Sequence, residues 1–299
     1  MQLFVTEAGN CNLVCDNLYS HTVEDRLKNY EGYEYPVLTS RNHTCLLMFG
    51  TILQHNSEMS GGAVMQDITA TSFEASQKSW IIDSENSRLL EYDLPSISTP
   101  KIYDLYMVLE GSAYTIYNGS LFTAVGQRKP SIVKYNLNTN SNERLNLNKL
   151  SVQTLNFLYK SGENYYDIMV DDNGIWAILP IPKSRNTAVL KFDPNSMDIL
   201  HIWDVSLHHE KYDKMFIAAG ILYTVTVEKN VIRILDGVDL YRNKYYNVDI
   251  LIENPQIKVK EIQFNAKEFE LNLWDDEKRW TSSLTCSKFE DFVITIPEE

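Results

Sequence analysis

What the chain lacks narrows its function before any motif is considered. No apolar run approaches the ~18 residues that a membrane-spanning helix needs; the longest, residues 215–223, is half that. No cluster of Lys and Arg occurs, and 27 basic against 40 acidic residues leave a formal charge of −13. Nucleic acid is therefore an unsuitable partner, because binding it means displacing phosphate counterions with basic side chains. A polybasic membrane-surface role fails for the same reason. Four cysteines are too few to staple a chain of 299 residues, which can bury a core without them. Cys11 and Cys15 are spaced C-x-x-x-C, but no second pair follows to complete a zinc site, and Cys45 and Cys286 lie near opposite ends. The N-terminus turns polar by Thr6, too soon for a signal-peptide core. The chain is then cytosolic, or its secretory segment was cut away or never included. No G-x-S-x-G, H-E-x-x-H, P-loop or G-x-G-x-x-G is present.

Helical periodicity is missing as well; it never holds for a dozen residues. The first 44 residues mix charges with tyrosines and read as a loosely structured lead-in, with one short helix around 22–29. From Cys45 onward, short runs rich in β-branched and aromatic residues alternate with turn signals, the pattern of an all-β domain spanning 45–299. One unit recurs: an apolar strand, a tight turn, an apolar-aromatic strand, a loop and a third strand. Its clearest copy is Thr115-Ile116-Tyr117, Asn118-Gly119, Ser120-Leu121-Phe122, then Ser131 to Asn136. Further copies begin at Ile168, Met215 and Glu261, and a weaker one at Ser79. Asn-Gly between apolar strands is a strong hairpin signal, since both central residues of a type I′ turn need φ > 0. The turns at Gly119, Gly174 and Gly220 are 55 and 46 residues apart. A period of ~40–50 residues with four strands per unit is that of a propeller. The expectation is a five-bladed β-propeller, closed by pairing of the segment near Cys45 with residues 280–286.

The same residues resemble the olfactomedin domain family. Gly62-Ala63-Val64-Met65-Gln66-Asp67 is similar to the family's G-A-W-M-x-D, and Tyr117-Asn118-Gly119-Ser120-Leu121-Phe122 to Y-N-G-S-L-Y. Ser131-Ile132-Val133-Lys134-Tyr135-Asn136-Leu137 resembles S-I-V-K-Y-D-L. Asp167-Ile168-Met169-Val170-Asp171-Asp172-Asn173-Gly174-Ile175-Trp176 resembles D-L-A-V-D-E-x-G-L-W. The motifs are collinear over roughly 240 residues; residues 1–44 match no family. The resemblance implies a five-bladed propeller acting as a secreted or cell-surface, non-catalytic module in adhesion, synapse or matrix organisation. Its expected partners are ectodomains, with oligomerisation possible in a longer parent chain. It gives weight to two glycosylation sequons, at Asn42 and Asn118; the latter also makes a hairpin turn.

Many members of that family hold calcium in the central channel. Carried over position by position, the ligand set becomes Asp167, Lys214, Gln263 and the carbonyls of Met215 and Ile262. Calcium needs several oxygen ligands, and lysine offers only ammonium donors. The expectation is no cofactor: the calcium site is lost, and Lys214 pairs with Asp167 in the channel. Misalignment by one residue, leaving Lys214 on the rim, is the alternative. The family's disulfide partner for Cys45 falls on Ala219, so that bond cannot form; ring closure favours Cys45–Cys286, with Cys11 and Cys15 paired or free. A buried free thiol at Cys45 is the alternative.

Other candidate chemistry is thin. His208-His209-Glu210 reads as an exposed loop, because adjacent histidines on an extended chain point to opposite faces. Asp171-Asp172-Asn173-Gly174 reads as a hairpin turn, since the bidentate Glu of a calcium loop is absent. Asp275-Asp276-Glu277 reads as solvated turn charge, and Trp80, Trp176, Trp203 and Trp274 as packing residues. A propeller glycosidase or lyase is the competing function, with Asp67, Asp167 and Asp236 its best carboxylates. Such an enzyme needs two carboxyl groups ~5–9.5 Å apart beside an open cleft.

Overall fold

The computed structural model describes residues 46–287, except 56–63, 84–86, 94–98, 108, 110, 127–129, 148–156, 161, 163, 182–184, 229–230, 243, 254–260 and 275–278. The lead-in, Cys11, Cys15, Asn42, Cys45 and the acidic run at 275–277 lie outside the described residues. Strand β1 (Leu46–His55) comes first in the chain. Then β2 (Lys78–Asp83), β3 (Arg88–Asp93) and β4 (Lys101–Asp104) form blade I. Blade II comprises β5 (Tyr114–Tyr117), β6 (Ser120–Val125), β7 (Ser131–Asn136) and β8 (Asn142–Asn146). Blade III comprises β9 (Asp167–Asp171), β10 (Gly174–Pro180), β11 (Asn186–Phe192) and β12 (Ile199–His208). Blade IV comprises β13 (Lys214–Ala218), β14 (Ile221–Glu228), β15 (Val231–Asp239) and β16 (Lys244–Glu253). Blade V comprises β17 (Glu261–Asn265), β18 (Glu270–Trp274) and β19 (Arg279–Ser287), with β1 as its outermost strand. The five-bladed propeller is therefore real, and its two ends close it. Leu47 stands opposite Cys286 and Gln54 opposite Trp280, antiparallel. Pairing β19 with β1 covers an edge that would otherwise be open to another chain.

Burial follows position in the blade. In β9 all five residues are buried, because blades II and IV cover both faces; in β8 only Leu145 is buried, and the exposed positions are polar. Side chains alternate between faces, so Trp176 and Ile178 of β10 join the apolar cluster running through blades III, IV and V. Their neighbours Ile175, Ala177 and Leu179 join the cluster shared with blade II. Strand β9 packs beside β5 and β13, and β13 beside β17, so the first strands of successive blades line the axis.

Two expectations about the repeat need correction. Blade I begins one strand before Ser79, where the repeat places its start. Met65 exchanges both backbone hydrogen bonds with Trp80 (2.8 and 2.9 Å), so β2 is the second strand of its blade and, among the described residues, the first is a single bridge. The insertion between them holds the turn at Asp67 and a short helix, α1 (Phe73–Ser76), capped by the Ser72 hydroxyl. The hairpin glycines also differ. Asn118 (φ +48) and Gly119 (φ +65) make the expected turn, and Ala219 (φ +52) and Gly220 (φ +71) make another. In blade III the turn is Asp172-Asn173, without positive φ, and Gly174 takes φ +130 at the start of β10.

Removal of residues 1–55 leaves blade V with three strands and β19 uncovered. The expected outcome is loss of the single cooperative thermal transition together with concentration-dependent association, measured by calorimetry and gel filtration.

Candidate functional site

The channel is set by which residues begin the inner strands. Asp167 begins β9 and Lys214 begins β13, and these strands are neighbours across the axis. Lys214 Nζ lies 2.8 Å from Asp167 Oδ2, with the Asp167 side chain 3% and that of Lys214 14% exposed. The Tyr159 hydroxyl donates to the same oxygen at 2.8 Å, and the Ile168 N–H donates to Oδ1 at 3.1 Å. Lys214 Nζ also stands 5.5 Å from the centre of the Tyr159 ring. Burial and the Asp167 charge hold the Tyr159 phenol well above its ordinary range, so it keeps its proton and donates it to Asp167 in a hydrogen bond. One carboxylate thus receives an ammonium, a phenol and a backbone N–H.

The side chains at the remaining family positions carry no negative charge to offer a cation. Met215 and Ile262 are buried in the core shared by blades III to V. Gln263 is on the opposite face of β17 from Ile262, with its Oε1 buried and unpartnered. Calcium is also excluded from the place where Lys214 stands, because an ammonium presents only positive charge to it. The residues present do not fit the metal. Among the described residues, no group of three His, Cys, Asp or Glu could hold a metal ion.

The carboxylates weighed for catalysis go to separate structural tasks. Asp67 bridges blades I and II: it accepts from the backbone N–H of Asn118 (3.1 Å) and Gly119 (2.8 Å), and from Thr69. Asp236, on β15, accepts from the hydroxyls of Tyr212 (2.9 Å) and Thr224 (3.2 Å) and from that of Tyr245. Asp167 is committed to Lys214 and Tyr159. Asn118 is exposed at its turn. Cys286 sits in β19, opposite Leu47.

Two buried acids with latching roles, Asp171 and Glu91, and the burial of His209 are not legible in the sequence. Asp171, read as part of a turn, is 2% exposed. Its Oδ1 accepts from Asn173 N and Trp176 Nε1, both at 2.8 Å, and its Oδ2 from Gly220 N at 2.7 Å. It therefore latches the blade III hairpin to the blade IV hairpin and offsets the cost of placing Ala219 in the left-handed region. Glu91 accepts from Lys78, from Tyr103 OH (2.6 Å) and from Trp80 Nε1 (3.3 Å). Burial pushes its carboxyl up, but the Lys78 and Tyr103 hydrogen bonds bring it below the ordinary value. His209 is not in an exposed loop. It is 3% exposed in a 3-10 turn (His209–Lys211), and its Nδ1 donates to the Leu158 carbonyl at 2.6 Å. Burial lowers its pKa, and the tight turn after β12, not extended chain, is what tucks the ring inward. The Asp171 and Glu91 signals were legible only as partners: each carboxylate is five or eleven residues from a tryptophan whose indole it accepts.

Lys214→Met strands a buried carboxylate, and the expected loss is about 3–5 kcal/mol in urea denaturation. Adding Asp167→Asn removes the stranded charge and recovers part of that loss. A second expectation concerns acid. Burial pushes Asp171 up to about 6 from an ordinary 3.8, although the indole and backbone N–H donors pull it down. A folded pKa above the unfolded one means that the native state takes up a proton first as pH falls. The contribution of this group is fully present below about 4 and lost as pH rises through about 6. Carbon-detected NMR of the Asp171 carboxyl should show a midpoint near 6 in the folded chain; a midpoint below 4 contradicts it.

A family model described as "Olfactomedin-like domain" matches residues 48–288, from β1 through β19. Myocilin of Oryctolagus cuniculus is 26% identical over 245 residues, covering 76% of this chain and 48% of that protein. Olfactomedin-like protein 3B of Danio rerio is 27% identical over 195 residues, covering 63% of this chain and 48% of that protein. The chain spans about half the length of the curated relatives it matches. Among solved structures, hydrazine synthase of Kuenenia stuttgartiensis superposes with a TM-score of 0.41 at 11% identity, over 66% of this chain and 58% of that chain. That likeness is too distant to carry an argument. The family match takes in all five blades and the strand that closes them, and the chain belongs to the olfactomedin-like domain family.

Proposed function

We propose that the chain is an extracellular, non-catalytic protein–protein interaction module whose partners are cell-surface or matrix ectodomains, in adhesion, synapse or matrix organisation. The observation that carries this reading is the commitment of the three channel and rim carboxylates. Asp67, Asp167 and Asp236 each hold neighbouring structure together, on different blades, and none is left to act as acid or nucleophile. Catalysis by paired carboxylates needs two of them facing one substrate. Family membership supports the module reading, and the acidity of the chain supports protein over nucleic-acid partners. Glycan at Asn42 and at the exposed Asn118, and a Cys45–Cys286 bond joining the two closing strands, belong to the same extracellular reading. Oligomerisation is a matter for the parent chain.

In this reading the Asp167–Lys214 pair replaces the family's calcium, and the fold is complete without a metal. The test is to probe the immobilised chain with a panel of purified ectodomains and, in parallel, with a panel of glycosides. Saturable binding to an ectodomain, unchanged by chelator, with no glycoside turnover, is the expected result. Turnover that Asp236→Asn or Asp167→Asn abolishes overturns the reading in favour of a glycosidase.

A further inference from the structure

The seams between blades are unequal. Large apolar clusters fill those between I and II, II and III, and III to V, whereas among the described residues blades V and I share Val64, Ile81 and Trp274, with Tyr92 packed against them. This is also the seam at which the ring joins its ends. Ile81 of β2 meets Trp274 of β18 there, so Ser79, two residues before Ile81, faces the same seam. On β18, Asn272 lies two residues before Trp274 on that same face, and Gln263 of β17 is its cross-strand partner. Thr281 of β19 continues the row.

Among the described residues, four buried polar atoms in this row have no hydrogen-bond partner: Ser79 Oγ, Gln263 Oε1, Asn272 Nδ2 and Trp274 Nε1. Ser79 and Asn272 are fully buried and Trp274 is 5% exposed. The other atom of the Asn272 amide is occupied, since Oδ1 accepts from Arg279 Nε (2.9 Å) and Nη2 (2.6 Å), which fixes Nδ2 as the free donor. The nearby charges are settled as well: Arg279 Nη2 bonds Glu270 at 3.0 Å. One end of the seam is fastened, with Asn265 Nδ2 donating to Gln66 Oε1 at 2.9 Å and Lys267 Nζ donating to the Ser76 carbonyl. What remains is two N–H donors, one carbonyl acceptor and one hydroxyl that can do either.

We propose that the seam between blades V and I holds resident water that bridges Ser79, Gln263, Asn272 and Trp274. Buried polar groups in folded chains are almost always paired with protein or with ordered water, and a water needs two to four polar partners at one place. The donor and acceptor set meets that need and carries no charge to hold an ion.

The indole N–H groups give an internal comparison. Trp176 Nε1 donates to Asp171 and Trp80 Nε1 to Glu91, whereas Trp274 Nε1 faces the seam. The chain is labelled with ¹⁵N-tryptophan, the Trp274 signal is assigned through Trp274→Phe, and water–indole cross-peaks are recorded in the laboratory and rotating frames. Cross-peaks of opposite sign in the two frames mark direct contact with a resident water, because chemical exchange gives the same sign in both. The expected result is such contact at Trp274 and none at Trp176. A Trp274 indole without water contact, or with the same signal as Trp176, overturns the proposal.

Discussion

A carboxylate at the axis of a closed ring has to be matched by positive charge, and the interior of this molecule is organised by that requirement. Asp167 is almost fully buried at the start of an inner strand. Removing it from water is expensive unless a cation and hydrogen bonds compensate. In the resembling family a metal meets that need; here Lys214 of the neighbouring blade meets it, with the Tyr159 hydroxyl and the Ile168 N–H completing the set. The choice has consequences outward. Because the cation is covalently part of β13, blade III and blade IV are tied at the channel by a side chain rather than by a diffusible ligand. The Asp171 carboxylate ties the same two blades at the hairpin end through the Gly220 N–H.

The same device recurs around the ring with different chemistry. Asp67 holds the blade II hairpin to blade I, and Asn164 accepts from the Ser112 N–H at 2.7 Å between blades II and III. Buried acceptors aimed at backbone N–H groups fix the rotations of blades I to IV relative to one another, which apolar packing alone specifies less sharply. At the closing seam the apolar cluster among the described residues is the smallest of the four, and strand pairing between β1 and β19 joins the two ends of the ring.

Much of this was legible in the chain. Blades II to V follow from a repeat with a fixed order of strand, turn and strand, and the closing pair follows from the need to leave no edge. The pairing of Lys214 with Asp167 was expected from complementary charges at family positions. The phase of blade I was not legible, because among the described residues its first strand is the single bridge at Met65, and an insertion separates it from β2. Nor was Asp171 legible as more than a turn residue: its role depends on the Gly220 N–H, 49 residues away. His209 failed for a related reason, since the 3-10 turn that buries it leaves no periodic trace in three residues. Local pattern reveals strands and turns, whereas latches between blades are long-range and appear only when the blades are placed.

With Lys214 in the place of a metal, the fold should be indifferent to calcium, and calorimetric unfolding of the chain at neutral pH, once with excess calcium and once with excess chelator, measures this. A ligand that binds only the native state raises the melting temperature with its concentration. The expected result is coincident transitions, with Lys214 already occupying the charge of Asp167. A transition displaced upward by several degrees in calcium, and returned by chelator, would contradict it.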